Sequence, residues 1–254
     1  MSKQISVHNH KCTKPCEHAN ICYYINGKHK DSKITSDKID EVINKISGDD
    51  NKIYYSVCDF MSAYITYSDS IYPNTNRSMT ISNNIYKHFI SMFNPSDRKQ
   101  FNKKVQLTVY TADDLGDDNL KDIQKMFLIK DQESYELAEL ILRNPTEYHN
   151  IHFPIYHEWA KANQDLVLIL VGLWLTNSYL NTSISLDSCL ENYIVNNKCV
   201  YAENYIDLRY DGSVRRCPFS DESHDIDIDN PDNMFNIPFT PNCIWHELFY
   251  KEGE

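Results

Sequence analysis

Short β-rich runs alternate with stretches of helical periodicity through roughly the first 175 residues. Residues 4–10 (QISVHNH) alternate apolar and polar positions and predict a strand that ends in polar residues. Ile39, Val42, Ile43 and Ile46 recur at helical spacing behind the capping residues Thr35 and Ser36, which predicts an amphipathic helix over 36–46. Residues 52–58, 77–82 and 105–111 read as the second, third and fourth strands. Between the last two, Ile85, Phe89, Ile90 and Phe93 mark a helix that stops near Asn94-Pro95, because the residue before a proline disfavours helical backbone. Leu120, Ile123 and Phe127 predict a further helix, and Leu137, Leu140 and Ile141 another that ends before Asn144-Pro145. Residues 151–155 and the apolar run 166–173 supply a fifth and a sixth strand, with a short helical stretch at 158–162 between them.

Strands interleaved with helices imply right-handed parallel βα units, and so an α/β sheet or an incomplete barrel over residues 1–176. After residue 176 the texture changes to polar, Asn-rich sequence around Cys189 and Cys199. Residues 205–208 and 213–216 then flank Asp211-Gly212, which predicts a small hairpin with an Asp-Gly turn. An acidic, loop-like stretch follows, and a short helix is expected over 244–250. Residues 177–254 thus read as an appended module.

Composition narrows the function classes. At 254 residues the chain can bury a sizeable core. A formal charge of −11 argues against affinity that rests on neutralising a phosphate backbone, so long nucleic acid is not the expected partner. The longest apolar run is about half of the roughly 18 to 20 residues a membrane span needs, and residues 1–12 lack an apolar signal core. The expectation is a cytoplasmic protein. In a reducing compartment eight cysteines point to metal or redox chemistry before disulfides.

Seven of those cysteines fall into two groups: Cys12, Cys16 and Cys22 near the start, and Cys189, Cys199, Cys217 and Cys243 in the last quarter. The first group follows the first strand, at the strand end where α/β folds place ligand sites. Three thiolates suit an iron–sulfur cluster with one iron left open, or a structural zinc completed by His8, His10 or His18. In the second group Cys199, Gly212 and Cys217 are separated by twelve and then four residues, within CVYAENYIDLRYDGSVRRCPF. A glycine there supplies the positive φ of the hairpin turn. Cys58 reads as a buried small apolar side chain, and Arg209, Arg215 and Arg216 as exposed hairpin arginines.

In this spacing the chain resembles radical S-adenosylmethionine enzymes that carry a C-terminal auxiliary-cluster module of the SPASM or shorter twitch type. The resemblance implies an α/β partial (β/α)6 barrel with a small C-terminal cysteine-rich hairpin module. It implies that Cys12, Cys16 and Cys22 hold a 4Fe-4S cluster whose open iron binds S-adenosylmethionine, and that the reduced cluster cleaves this cofactor to a 5'-deoxyadenosyl radical that abstracts hydrogen from substrate. A second, auxiliary 4Fe-4S cluster would be held by Cys199 and Cys217 with Cys189 and Cys243. The implied partners are a reducing electron donor and a peptide, nucleotide or small-metabolite substrate. Asp59, in the SVCDFMSAY segment after the second strand, stands where the family places a Gly-Gly-Glu-Pro-like segment that meets the cofactor's amino group. Asn83 and Thr111, after the third and fourth strands, would face the cofactor space. The first cysteine gap holds three residues and the second five, longer than the family's usual second gap. The alternative reading is a non-catalytic zinc-binding interaction protein whose loops are stapled by cysteines.

Overall fold

The computed structural model describes residues 2–8, 35–46, 48, 50–57, 59–72, 74, 76–199, 201, 204–220, 222–241 and 243–250. In chain order its elements are β1 (Gln4–His8), α1 (Ser36–Lys45), β2 (Lys52–Ser56), α2 (Phe60–Ile65), β3 (Arg77–Ser82), α3 (Asn83–Met92), α4 (Pro95–Asn102), β4 (Val105–Val109) and α5 (Ala112–Gly116). There follow β5 (Gln124–Phe127), α6 (Gln132–Arg143), β6 (Ile151–Phe153), α7 (His157–Ala162), α8 (Gln164–Asn177), β7 (Ile184–Leu186) and α9 (Ser188–Asn196). The last part holds β8 (Tyr205–Arg209), β9 (Ser213–Arg215), β10 (His224–Asp225) and α10 (Ile244–Phe249). The class is α/β, with mostly parallel strand pairing and an antiparallel segment near the C-terminus. No helix among the described residues is long and apolar enough to cross a membrane.

Two compact units share the chain, 1–80 with 199–243 and 81–198 with 244–254, so the division falls elsewhere than the expected boundary after residue 176. In the first unit the strand order is β10-β9-β8-β1-β2-β3. β1 is the pivot: it pairs in parallel with β2 (Ile5 opposite Ile53) and with β8 (Ile5 opposite Ile206), and Ile5 and Val7 are fully buried. Strands covered on both faces read as near-continuous apolar runs in α/β folds. β8 departs from that rule, since all five of its residues are buried although two are charged.

In the second unit β4-β5-β6-β7 run in parallel. Phe89 of α3 stacks on Phe101 of α4 at a ring separation of 4.9 Å, and Phe93, just past α3, packs against the same ring at a tilt and 5.2 Å, which builds an aromatic core from the periodicity seen in sequence. Strand-to-helix junctions in both units carry N-cap residues. Asp59, Ser82, Thr111, Asp131 and Asp187 each accept a backbone N–H from the first turn of the helix that follows.

Two expectations are corrected. Residues 166–173 are not a sixth strand but the middle of α8, and the parallel strand in that part of the chain is 184–186. An all-apolar run carries no period that separates strand from helix; Leu-rich composition and a length of 14 residues favour the helix. The helix expected from Leu120, Ile123 and Phe127 is a 3-10 turn (Asp118–Leu120) followed by β5, whose buried positions Lys125 and Phe127 alternate in strand fashion. The Asn-rich stretch around Cys189, for which the sequence predicted no element, forms helix α9.

Candidate metal centre

The β8–β9 hairpin forms as its sequence predicts. Asp207 lies opposite Arg215 and Leu208 opposite Val214, and Gly212 takes φ +81° in the turn. That conformation is open to glycine and strained for a residue bearing a Cβ. Asp211 fixes the turn by accepting from the backbone N–H and the hydroxyl of Ser213 at 3.0 and 2.6 Å.

The arginines are not on the surface. Arg209, Arg215 and Arg216 are 1%, 2% and 5% exposed, which overturns the reading of exposed hairpin arginines. Arg209 Nε donates to Asp207 Oδ2 at 2.8 Å, and His8 Nε2 of the neighbouring β1 lies 2.9 Å from Asp207 Oδ1 in an ion-pair approach. Burial alone would raise the Asp207 carboxyl, but His8 and then Arg209 outweigh it and hold the group below the usual carboxylate range. The guanidiniums also bind the chain around Cys217. Arg209 Nη2 donates to Pro218 O at 3.4 Å and Arg215 Nη1 to Ser220 O at 2.7 Å. Arg216 Nε donates to Tyr205 O at 3.1 Å, while its Nη1 reaches Ile237 O at 2.7 Å and Phe235 O.

This scaffold holds three thiols. Cys199 precedes β8, Cys217 follows β9 and Cys243 ends the unit. Cys199 and Cys217 are buried and Cys243 is half-buried. Burial pushes the Cys217 thiol up, and the proximity of Cys199 and Cys243 pushes it further, whereas the Phe219 N–H, 3.4 Å from Cys217 Sγ, acts the other way. Cys199 and Cys243 thus each lie within electrostatic reach of Cys217 in one compact unit. Among the described residues no group of three or more His, Cys, Asp or Glu side chains is arranged to hold a metal ion. Thiolates suit a soft or borderline metal, but the placement of these three sulfurs does not itself form a ligand set.

The other expected residues distribute as follows. Cys12, Cys16, Cys22 and Cys58 lie outside the described residues. Cys189 is buried in the first turn of α9, in the second unit. Asp59 Oδ1 accepts from Ser62 N at 2.9 Å as the cap of α2, and Thr111 Oγ1 from Asp114 N at 3.2 Å as the cap of α5. Asn83 is buried at the start of α3 and donates to Asp114 Oδ1 at 2.6 Å. The Asn83 amide oxygen makes no hydrogen bond, so of these three side chains it alone keeps a buried acceptor uncommitted to the local fold.

A second set of perturbed groups lies along β6 and β7. His152 Nδ1 sits 2.9 Å from Ser185 Oγ, its partner across the β6–β7 pair, and burial lowers both His152 and His157 to about 4. Burial raises Asp187 to about 6 against the opposing N–H groups of Leu190, Ile155 and Cys189. Glu191 is raised to about 7 by burial and by the Asp187 charge. A carboxylate that caps a helix and also ties a strand end is drawn inside by its hydrogen bonds, and periodicity alone does not reveal it.

No protein-family model, no curated protein and no solved structure matches this chain.

Proposed function

We propose that this protein is a radical S-adenosylmethionine enzyme with a partial-barrel body, in which Cys12, Cys16 and Cys22 hold the cofactor-binding 4Fe-4S cluster and Cys199, Cys217 and Cys243 contribute to an auxiliary one. What supports the reading is the Cys, twelve-residue, Gly, four-residue, Cys spacing of Cys199, Gly212 and Cys217, with a β8–β9 hairpin turned at Gly212 between the two cysteines. Iron–sulfur clusters take thiolate ligands, and when bound they supply the one-electron chemistry that the protein's own side chains lack.

The chain's own residues prepare the thiols. Gly212 turns the hairpin so that Cys217 comes back toward the start of β8, near Cys199. Arg209 and Arg215 pin the carbonyls on either side of Phe219, and the Phe219 N–H points at the Cys217 sulfur, a contact that favours thiolate over thiol.

Substrate and donor follow from chemistry alone: a reductant and a small molecule or peptide with an abstractable hydrogen. A second reading, a non-catalytic zinc protein, is favoured by the same trio, since three thiolates and one further ligand close a tetrahedral site. Purification of the full chain without oxygen, followed by metal analysis, separates the two. The expected result is brown protein with about eight irons per chain, loss of roughly half of them in Cys217→Ser, and 5'-deoxyadenosine on reduction with S-adenosylmethionine that disappears in Cys16→Ala. Colourless protein with stoichiometric zinc and no iron would overturn the first reading and leave the second.

A further inference from the structure

We propose that α8 is the interface through which two copies of this chain associate, crossing at Gly172 about a two-fold axis. The helix is apolar all round: from Leu166 to Leu175 every residue is Leu, Val, Ile, Gly or Trp. Such a helix belongs in an interior, yet only one side of α8 has one. Val167, Leu170 and Val171 are buried, while Leu168, Ile169 and Leu175 are 52%, 43% and 53% exposed and Gly172 is open to solvent. Leu168, Ile169, Gly172, Leu175 and Thr176 follow the three- and four-residue spacing of a single helix face. Tyr179 and Leu180, both exposed, lie just past its C-terminal end.

Gly172 is the second observation. A glycine in a helix interior is less favourable than alanine, and it is kept where another backbone comes close. Among the described residues nothing comes close, because a Cβ built at Gly172 would meet no atom within 4 Å. The packing of the described residues does not need the glycine, whereas a helix laid across this face from outside would.

The exposed pattern is symmetric about that residue. Ile169 and Leu175 stand three positions before and after Gly172, and Leu168 and Thr176 stand four before and after. A two-fold antiparallel crossing brings position −n of one helix to position +n of the other, so each flank meets the opposite flank of an identical face. Charge agrees with a copy of the same chain. No charged residue occurs between Asp165 and Asp187, so two molecules of net charge −11 meet through a neutral face. A membrane surface is disfavoured as the occupant, because no Lys or Arg occurs between Lys161 and Lys198 to engage anionic headgroups.

The test is sedimentation velocity on the full chain, from sub-micromolar to tens of micromolar. The wild-type protein is expected to be dimeric. Ile169→Asp and Leu175→Asp, both at exposed positions, are expected to raise the dimer dissociation constant on the order of a hundredfold. Gly172→Trp, which projects into open space in the monomer, is expected to do the same with unchanged circular dichroism. A monomer at every concentration would overturn the proposal. So would a dimer that survives all three substitutions, or a monomer that floats with neutral phosphatidylcholine vesicles.

Discussion

The β8–β9 hairpin and helix α8 invert the usual distribution of charge and oil in opposite directions. The hairpin buries Asp207, Arg209, Asp211, Arg215 and Arg216, while α8 leaves Leu168, Ile169 and Leu175 in water. Each buried head group of the hairpin is met by carbonyls, hydroxyls or an opposite charge, so the desolvation is answered locally. Among the described residues no such answer exists for the outer face of α8. A buried charge that is satisfied points inward, to what it positions; an exposed apolar face points outward, to what covers it.

The largest expected effect is at Asp207. Asp207→Asn leaves Arg209 without its carboxylate partner, and breaking a buried pair from one side costs about 3–5 kcal/mol, to be measured by urea unfolding. A loss below about 1 kcal/mol would place this pair with surface ion pairs and remove the hairpin's half of the contrast. The same carboxyl sets an acid limit. Its folded value lies below its unfolded one, so its stabilisation is present above the unfolded value and is lost as pH falls through the folded one.

Gly212→Ala comes next. Placing a Cβ at φ +81° is expected to cost about 1–2 kcal/mol, read as a lowered melting temperature. An unchanged melting temperature would show that the turn is free to change type.

The smallest effect sharpens the contrast from the acid side. Glu191 is a carboxyl drawn inside without a cation, and its folded value of about 7 lies above the ordinary 4.5. Stability is therefore fullest below the unfolded value and declines as pH rises from about 4.5 toward 7, levelling above that. Glu191→Gln keeps an acceptor for the Leu186 N–H and is expected to flatten this decline, read as melting temperature against pH. An unaltered profile would mean that another group carries the titration.

Where side-chain spacing carried a period, sequence and structure mostly agree: α1, α3 and α6, the strands at 52–56, 77–82 and 105–109, and the Asp-Gly hairpin, with the three positions Leu120, Ile123 and Phe127 too few to separate a helix from a 3-10 turn followed by a strand. They part where the residues were uniform or where charge went inside. The 166–173 run offered no polar position to set a phase, so the helix was invisible to alternation. The buried arginines had a local signal. Asp207, Arg209 and Asp211 stand two apart, so opposite charges share one strand face and can pair along it. Whether that face is wet or dry depends on β1, paired to β8 across some two hundred residues, and no local window contains that contact. Of the candidate centre, spacing indicated Cys199 and Cys217 and the family resemblance added Cys189 and Cys243; the fold puts Cys199, Cys217 and Cys243 in one unit and Cys189 in the other.

The pairing of β1 with β8 also orders events during synthesis. The first strand leaves the ribosome early, yet its partner on one side is made only when residues 205–209 are translated. Until then β1 keeps an open edge of unpaired N–H and C=O groups, a template for misplaced pairing. A nascent chain halted before residue 205 should therefore depend on chaperones to a degree that the finished protein does not.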